Sequence, residues 1–360
     1  MIARRTMRRS LRRAALTPAA PLLVAVAALI GMGVFLLMAP KAATGGWLTA
    51  FLFWSGVPLG GLLALMIHAL TGGRWGVRFA PEFITTAAAI PLMALLSVPM
   101  LAALPGFYPW VFGHGGVHAD VHRWYLNAPF FIGRTALAFA GWSALAFLLP
   151  RLAGAPAAIL ASLGLIFFGV MISIVGYDWV LSLDPHFTSS SFGATLAFAQ
   201  LASALAFTAV VARDDGDPAF ADLGGLLLTA LLGLVYMNFM ALLIVWYGDV
   251  PERVQWFVDR TQAPWIVVAV FAFLLGSVVP IFSLFLGRWR RNPRALRIVG
   301  LVALLGIVLF DACLVTPAFG PLALGAAALA TIAIGALLVS FLAMPWAQAP
   351  LRHWRMRHGR

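Results

Sequence analysis

Charge is what this sequence has least of. Only 10% of its 360 residues are Asp, Glu, Lys or Arg, where a soluble globular domain carries about 25%. With 62% hydrophobic residues and a mean hydropathy of +0.97, the chain could not clothe a water-facing surface of its own size, so lipid has to be the solvent for most of it. Cysteine is nearly missing as well. The single one, Cys313, lies in an apolar run, which excludes an intrachain disulfide framework, a Cys-based zinc site and a Cys-ligated iron–sulfur cluster. The thioether-haem signature Cys-x-x-Cys-His, the Gly-rich phosphate loops and the nucleophile elbow are also absent from the sequence, so it offers no basis for kinase or hydrolase chemistry. If electrons move through this system, they are expected to be carried by metals in other chains.

What is present is a set of long apolar runs. A spanning helix needs about 20 mostly apolar residues, and ten stretches qualify, at 19–39, 46–70, 83–104, 128–150, 156–177, 190–212, 223–247, 262–286, 297–316 and 321–345. The first follows Arg4, Arg5, Arg8, Arg9, Arg12 and Arg13 in the manner of a secretory signal. Its apolar core is longer than a signal's, and we read it as a retained helix. The formal charge of +12 does not point to nucleic acid, because the arginines gather at the chain ends and in short linkers between apolar runs.

Those arginines orient the chain. With a cytoplasmic N-terminus, 19 of the 24 basic residues fall on the cytoplasmic side, leaving only Lys41, Arg123, Arg134, Arg253 and Arg260 opposite. The positive-inside bias thus supports ten spans with both ends cytoplasmic. The organisation read from sequence is a basic tail over 1–18, a ten-helix domain over 19–345 and a second basic tail over 346–360. The longest non-cytoplasmic pieces, 105–127 and 248–261, are rich in aromatics: Phe107, Tyr108, Trp110, Phe112, Trp124, Tyr125, Trp256 and Phe257. Such rings usually form the interfacial belt, and in a complex they could equally meet a partner.

Ionisable groups inside lipid are costly and normally face protein. Asp311, near the middle of the ninth run, reads either as a proton-relay carboxyl or as a neutral acid hydrogen-bonded to a neighbouring helix. His68, at the cytoplasmic end of the second run, reads first as a snorkelling or capping group, and second as a relay. Arg134 follows Asn127-Ala128-Pro129, a plausible cap and first turn, and could pair with Asp178 or Asp249. The segment Tyr177-Asp178-Trp179-Val180-Leu181-Ser182-Leu183-Asp184-Pro185-His186 joins the fifth and sixth runs. Two carboxyls, a histidine and a tyrosine at one membrane edge could guide protons or hold a quinol headgroup; the bland reading is a capped interhelical turn. His114, His118, Asp120 and His122 have metal-like spacing, but they sit in a Gly-containing loop and read better as solvated.

The run Asp178-Trp179-Val180-Leu181-Ser182-Leu183-Asp184-Pro185-His186 resembles the Asp-Trp-x-Met-Ser-Leu-Asp-Pro-His signature of the F subunit of bacterial alternative complex III, a quinol:electron-acceptor oxidoreductase. This subunit is related to polysulfide-reductase-type membrane subunits. Pro81-Glu82-Phe83, Tyr125-Leu126-Asn127-Ala128-Pro129-Phe130-Phe131, Arg134 and Trp246-Tyr247-Gly248-Asp249-Val250-Pro251-Glu252 resemble further family stretches, in the family's order. The resemblance implies an all-α protein of ten helices, most of them in two four-helix bundles, lodged in the bacterial inner membrane. It implies no metal in this chain. Haem c and iron–sulfur clusters would belong to partner subunits: a multihaem cytochrome c, an iron–sulfur protein and a second ten-helix membrane subunit, with quinol drawn from the quinone pool. Met240-Ala241 stands where the family has Ser-Gln, and Ala312 and Cys313 stand where it has Tyr-Trp, which thins any proton wire.

The resulting expectation is a membrane subunit of a quinol-oxidising respiratory complex, not catalytic alone. Candidate residues for a proton path or quinol-side cavity are Asp178, Asp184, His186, Asp249, Asp311, Tyr177, Tyr247, Arg134 and His68. The rival readings are an autonomous transporter, for which Gly164, Gly169, Gly176 and Pro280 offer a weak broken-helix pattern, and a structural anchor.

Overall fold

A backbone in hydrocarbon has no water to bond to, so each crossing must satisfy its N–H and C=O groups internally. The computed structural model, which describes residues 19–112, 119–184, 187–248, 251–345, 347 and 349–358, meets that demand with helices and contains no strand among those residues. Among the described residues, ten helices are long and apolar enough to cross a bilayer: Ala19–Met38, Pro40–Thr71, Arg74–Ala102, Ala128–Arg151, Ala155–Leu183, Phe192–Val211, Ala219–Gly248, Trp265–Phe285, Pro293–Ala318 and Leu322–Leu342. The protein is an all-α polytopic membrane protein.

Spans two to five close into one four-helix bundle, each packing on the next and the fifth returning to the second; spans six to nine form a second ring in the same way. The sixth span joins the two rings by packing on the second and fifth, while the tenth lies along the second and the first along the tenth. Burial follows this order. The second span is 89% buried and the first only 17%, so one is the axis of the molecule and the other a lipid-facing flank. Leu23, Ile30 and Leu37 on that flank are exposed apolar residues that only lipid or a partner can cover.

Close approach at the ring junctions depends on missing side chains. A Cβ on Gly60 would sit 1.9 Å from the Gln200 carbonyl oxygen of the sixth span, and one on Gly306 would sit 1.9 Å from the Gly276 nitrogen. Gly276 belongs to a π-helical segment, Leu274–Val278, that precedes Pro280 in the eighth span. Proline offers no N–H to the helix, and such a π turn is a common way to absorb the irregularity.

Two departures from the hydropathy reading bear most on the fold. The third span begins at Arg74 rather than 83, because its first turns are amphipathic and their charges are paired within the protein. It is then interrupted between Ala87 and Ile90, just ahead of Pro91. At the C-terminus the basic tail contains a helix, Ala349–His358, packed on the Leu149–Arg151 turn and on the helix Arg74–Ala87.

Candidate functional site

Asn127 sets the first part of the site. Its side-chain oxygen accepts from the Phe130 N–H at 3.0 Å, with Pro129 in the first turn, and this start brings Arg134 one to two turns into the fourth span. There the guanidinium meets Asp178 of the fifth span in a bidentate pair, Nε donating to Oδ2 at 2.7 Å and Nη2 to Oδ1 at 2.9 Å. Nη1 donates to the Tyr125 carbonyl at 3.0 Å, and the Tyr125 ring lies 4.0 Å from the guanidinium carbon. Asp178 is fully buried. A fork of two parallel N–H···O bonds is the strongest form such a pair takes.

The surroundings extend this pair into a network. Trp179 donates its indole N–H to Thr135 and stacks on Phe139. The Tyr108 hydroxyl donates to the Trp179 carbonyl, and Trp110 donates to Ser182, which in turn donates to the Asp178 carbonyl. Tyr108 and Trp110 are fully buried, so they are not part of an interfacial belt: they fill the end of the first bundle and tie the 105–127 loop to it. Phe112 and Trp124 do remain exposed. Burial, followed by the nearby Asp178 carboxylate, pushes the Tyr125 phenol up to about 12, and burial raises Tyr108 well above the usual tyrosine range.

Asp311 lies elsewhere, about two-thirds of the way along the ninth span rather than at its middle, and it is buried. It lines a small cavity with Leu52, Gly56, Gln200, Ser203 and Ile307, where spans two, six and nine meet. The cavity measures ≈ 10 Å³, close to the roughly 10–15 Å³ that a single water needs. Both polar atoms of the Gln200 amide are buried without partners, and no ion pair to Asp311 occurs among the described residues. A carboxyl, an amide and space for one water therefore face one another at the seam of the two bundles.

Asp184 lines a third place, a cavity of ≈ 450 Å³ shared with Trp256, Asp259, Arg260, Gln262 and Trp265. Arg260 is anchored there by the carbonyls of Cys313, Leu314 and Trp256 and stacks 3.5 Å from the Trp256 ring. Burial lowers it to about 10, with Cys313, Asp184 and Asp259 acting in the opposite direction. Of the remaining candidates, Tyr177 packs edge-on against Tyr125. Tyr247 is exposed. His68 sits at the opposite end of the molecule, its Nδ1 3.0 Å from the Gly72 carbonyl. The described candidates thus occupy separate sites and do not line one cavity. His186 and Asp249, like His114 and His118, lie outside the described residues. Among those described, no group of three potential metal ligands occurs.

One cluster escaped the sequence reading. Arg78 reaches Asp215 at 2.8 Å, Glu82 at 3.6 Å and Asp217 at 3.9 Å, and also donates to the Arg213 carbonyl. Arg74 pairs with Asp222, and Arg294 with Asp214. The contacts of Asp214, Asp215 and Asp217 lock the linker after the sixth span to spans three and nine, and the Arg74–Asp222 pair ties span three to the start of span seven. The acidic run at 214–217 was a visible signal; its partner 137 positions away was not.

No protein-family model and no curated protein sequence matches this chain.

Proposed function

We propose that this chain is a non-metal membrane subunit of a quinol-oxidising respiratory complex of the alternative complex III type, resident in the bacterial inner membrane. In this reading it is a scaffold with a proton path. Electrons stay on the haem c and iron–sulfur clusters of its partners: a multihaem cytochrome c, an iron–sulfur protein and a second ten-helix subunit. One observation carries the reading. Two of the features that resemble the F subunit, Arg134, which follows the stretch 125–131, and the stretch over 178–186, are 44 positions apart at Arg134 and Asp178, yet they meet in a single buried ion pair. A chance likeness between strings gives no reason for such a meeting. The paired bundles with two flanking helices are the architecture that the same resemblance implies.

Within this reading Asp311 has the relay role. A carboxyl accepts a proton on one oxygen and releases it from the other, and the facing Gln200 amide can hold a connecting water in place. Arg134 and Asp178 are a positioning pair that holds the end of the first bundle. The fifth span runs as a continuous helix over Ala155–Trp179, and the irregularity before Pro280 is a π turn, so the two spans whose Gly and Pro pattern suggested the broken helices of a transporter are not unwound, and the interruption near the middle of the third span covers only two residues.

Purification from native membranes tests the assembly: the tagged chain is expected to bring haem c and iron–sulfur proteins with it. Recovery of the chain alone, with substrate uptake in vesicles, would favour the transporter. For the relay, Asp311→Asn is expected to reduce respiration-linked proton release at least about tenfold while the complex still assembles. Unchanged proton release would take Asp311 out of the mechanism.

A further inference from the structure

A cavity that the proposed function does not use opens near the fifth-to-sixth turn, at the same end of the molecule as Asp178. It measures ≈ 440 Å³, and its polar lining is Ser173, Tyr177, Thr188, Ser189, Ser190 and Arg253. Its chemistry is one-sided: five hydroxyl groups and a guanidinium, with no carboxylate among the described lining residues. The neighbouring Asp184 cavity contains two carboxylates, Asp184 and Asp259. Arg253 comes from the amphipathic helix Pro251–Asp259 and has no hydrogen-bond or ion-pair partner among the described residues. It is also one of only five basic residues on the side where the positive-inside rule depletes them. A half-buried cation in such a place calls for an anion.

The fifth span shows where that anion comes from. Ile159, Leu163, Ile166 and Val170 are each more than half exposed, and their spacing puts them on one helix face. The same stripe continues at Ser173 and Tyr177, which enter the cavity. A lipid-facing apolar track therefore ends at a basic, hydroxyl-lined pocket at the membrane edge. We propose that this cavity binds the phosphodiester of a phospholipid in the non-cytoplasmic leaflet, with Arg253 on the phosphate oxygens, the serine and threonine hydroxyls around it, and an acyl chain lying along the fifth-span stripe. The proposal stands independently of the respiratory role.

Native mass spectrometry of the full-length protein, with whatever subunits copurify, tests it using three probes: phosphatidylglycerol, diacylglycerol and inorganic phosphate. The wild type is expected to retain one phosphatidylglycerol through delipidation and to hold diacylglycerol at least about tenfold more weakly. Arg253→Gln should lose that preference and Arg253→Lys should keep part of it. Arg123→Gln, which removes a cation stacked on Trp124 at the same end but outside the cavity, should behave as wild type. Displacement of the lipid by millimolar inorganic phosphate would support a phosphate site fed from solution. Equal retention of phosphatidylglycerol by wild type and Arg253→Gln, or equal retention of diacylglycerol by the wild type, would overturn the proposal.

Discussion

A guanidinium and a carboxylate withdrawn from water each lose hydration worth several kcal/mol, and only good geometry with further hydrogen bonds offsets the loss. Arg134 and Asp178 meet those terms through their fork, the Tyr125 carbonyl and the Tyr125 ring. Removing one partner leaves the other buried and uncompensated. Asp178→Asn or Arg134→Met should therefore cost on the order of 3–5 kcal/mol, read as a lower denaturation midpoint in detergent. Asp222→Asn breaks a pair whose arginine is 71% exposed and should cost no more than about 1 kcal/mol. Similar midpoints for the two variants would contradict the buried network. Tyr125 provides a second reading of this site. Its phenol ionises at about 12 in the folded protein against 10 when free, so between those values the unfolded chain releases a proton that the native state retains. Its contribution is complete below pH 10 and is lost as pH rises toward 12. The difference between wild type and Tyr125→Phe in phenolate absorbance should appear near pH 12; an ordinary midpoint near 10 would mean that the ring is not buried against Asp178.

At the scale of the element, the long apolar runs revealed themselves because burial in hydrocarbon acts on each helix separately. The cap at Asn127 was equally legible, being a local hydrogen bond between neighbours in sequence. The amphipathic start of the third span was not, since Arg74 and Arg78 find Asp222, Asp215 and Asp217 only after the chain has folded. Tyr108 and Trp110 misled for a related reason: an aromatic near a span end has the same composition whether it faces lipid headgroups or a bundle interior. Contact between helices likewise turns on glycines whose spacing looks unremarkable. Gly60→Leu would drive a side chain into the Gln200 carbonyl, while at Gly33 nothing lies within 4 Å of an added Cβ. The first substitution should lower the thermal midpoint by several degrees, a destabilisation of at least about 1–3 kcal/mol, and the second should leave it unchanged. Equal tolerance at both positions would mean that the second and sixth spans are not in close contact.

The whole molecule is organised by its two ends. At one, Arg78 and Arg294 pair with acids of the linker after the sixth span, Arg74 pairs with Asp222 at the start of the seventh span, and the C-terminal helix packs nearby. At the other, the Arg134–Asp178 network, Arg260 and the two larger cavities are gathered. Ten crossings sort the linkers this way, and an odd number would not return both termini to one side. Whether partner subunits cover the exposed flanks is a question of assembly; the sidedness comes first, because the proposed relay and the proposed lipid pocket both assume it. The most direct measurement is substituted-cysteine labelling in intact cells, in a Cys313→Ser background, with single cysteines at Arg123, Arg253, Arg74 and Arg352. The account predicts that a membrane-impermeant thiol reagent labels positions 123 and 253 from outside and reaches 74 and 352 only after permeabilisation. Labelling of 253 and 352 from the same side would contradict it.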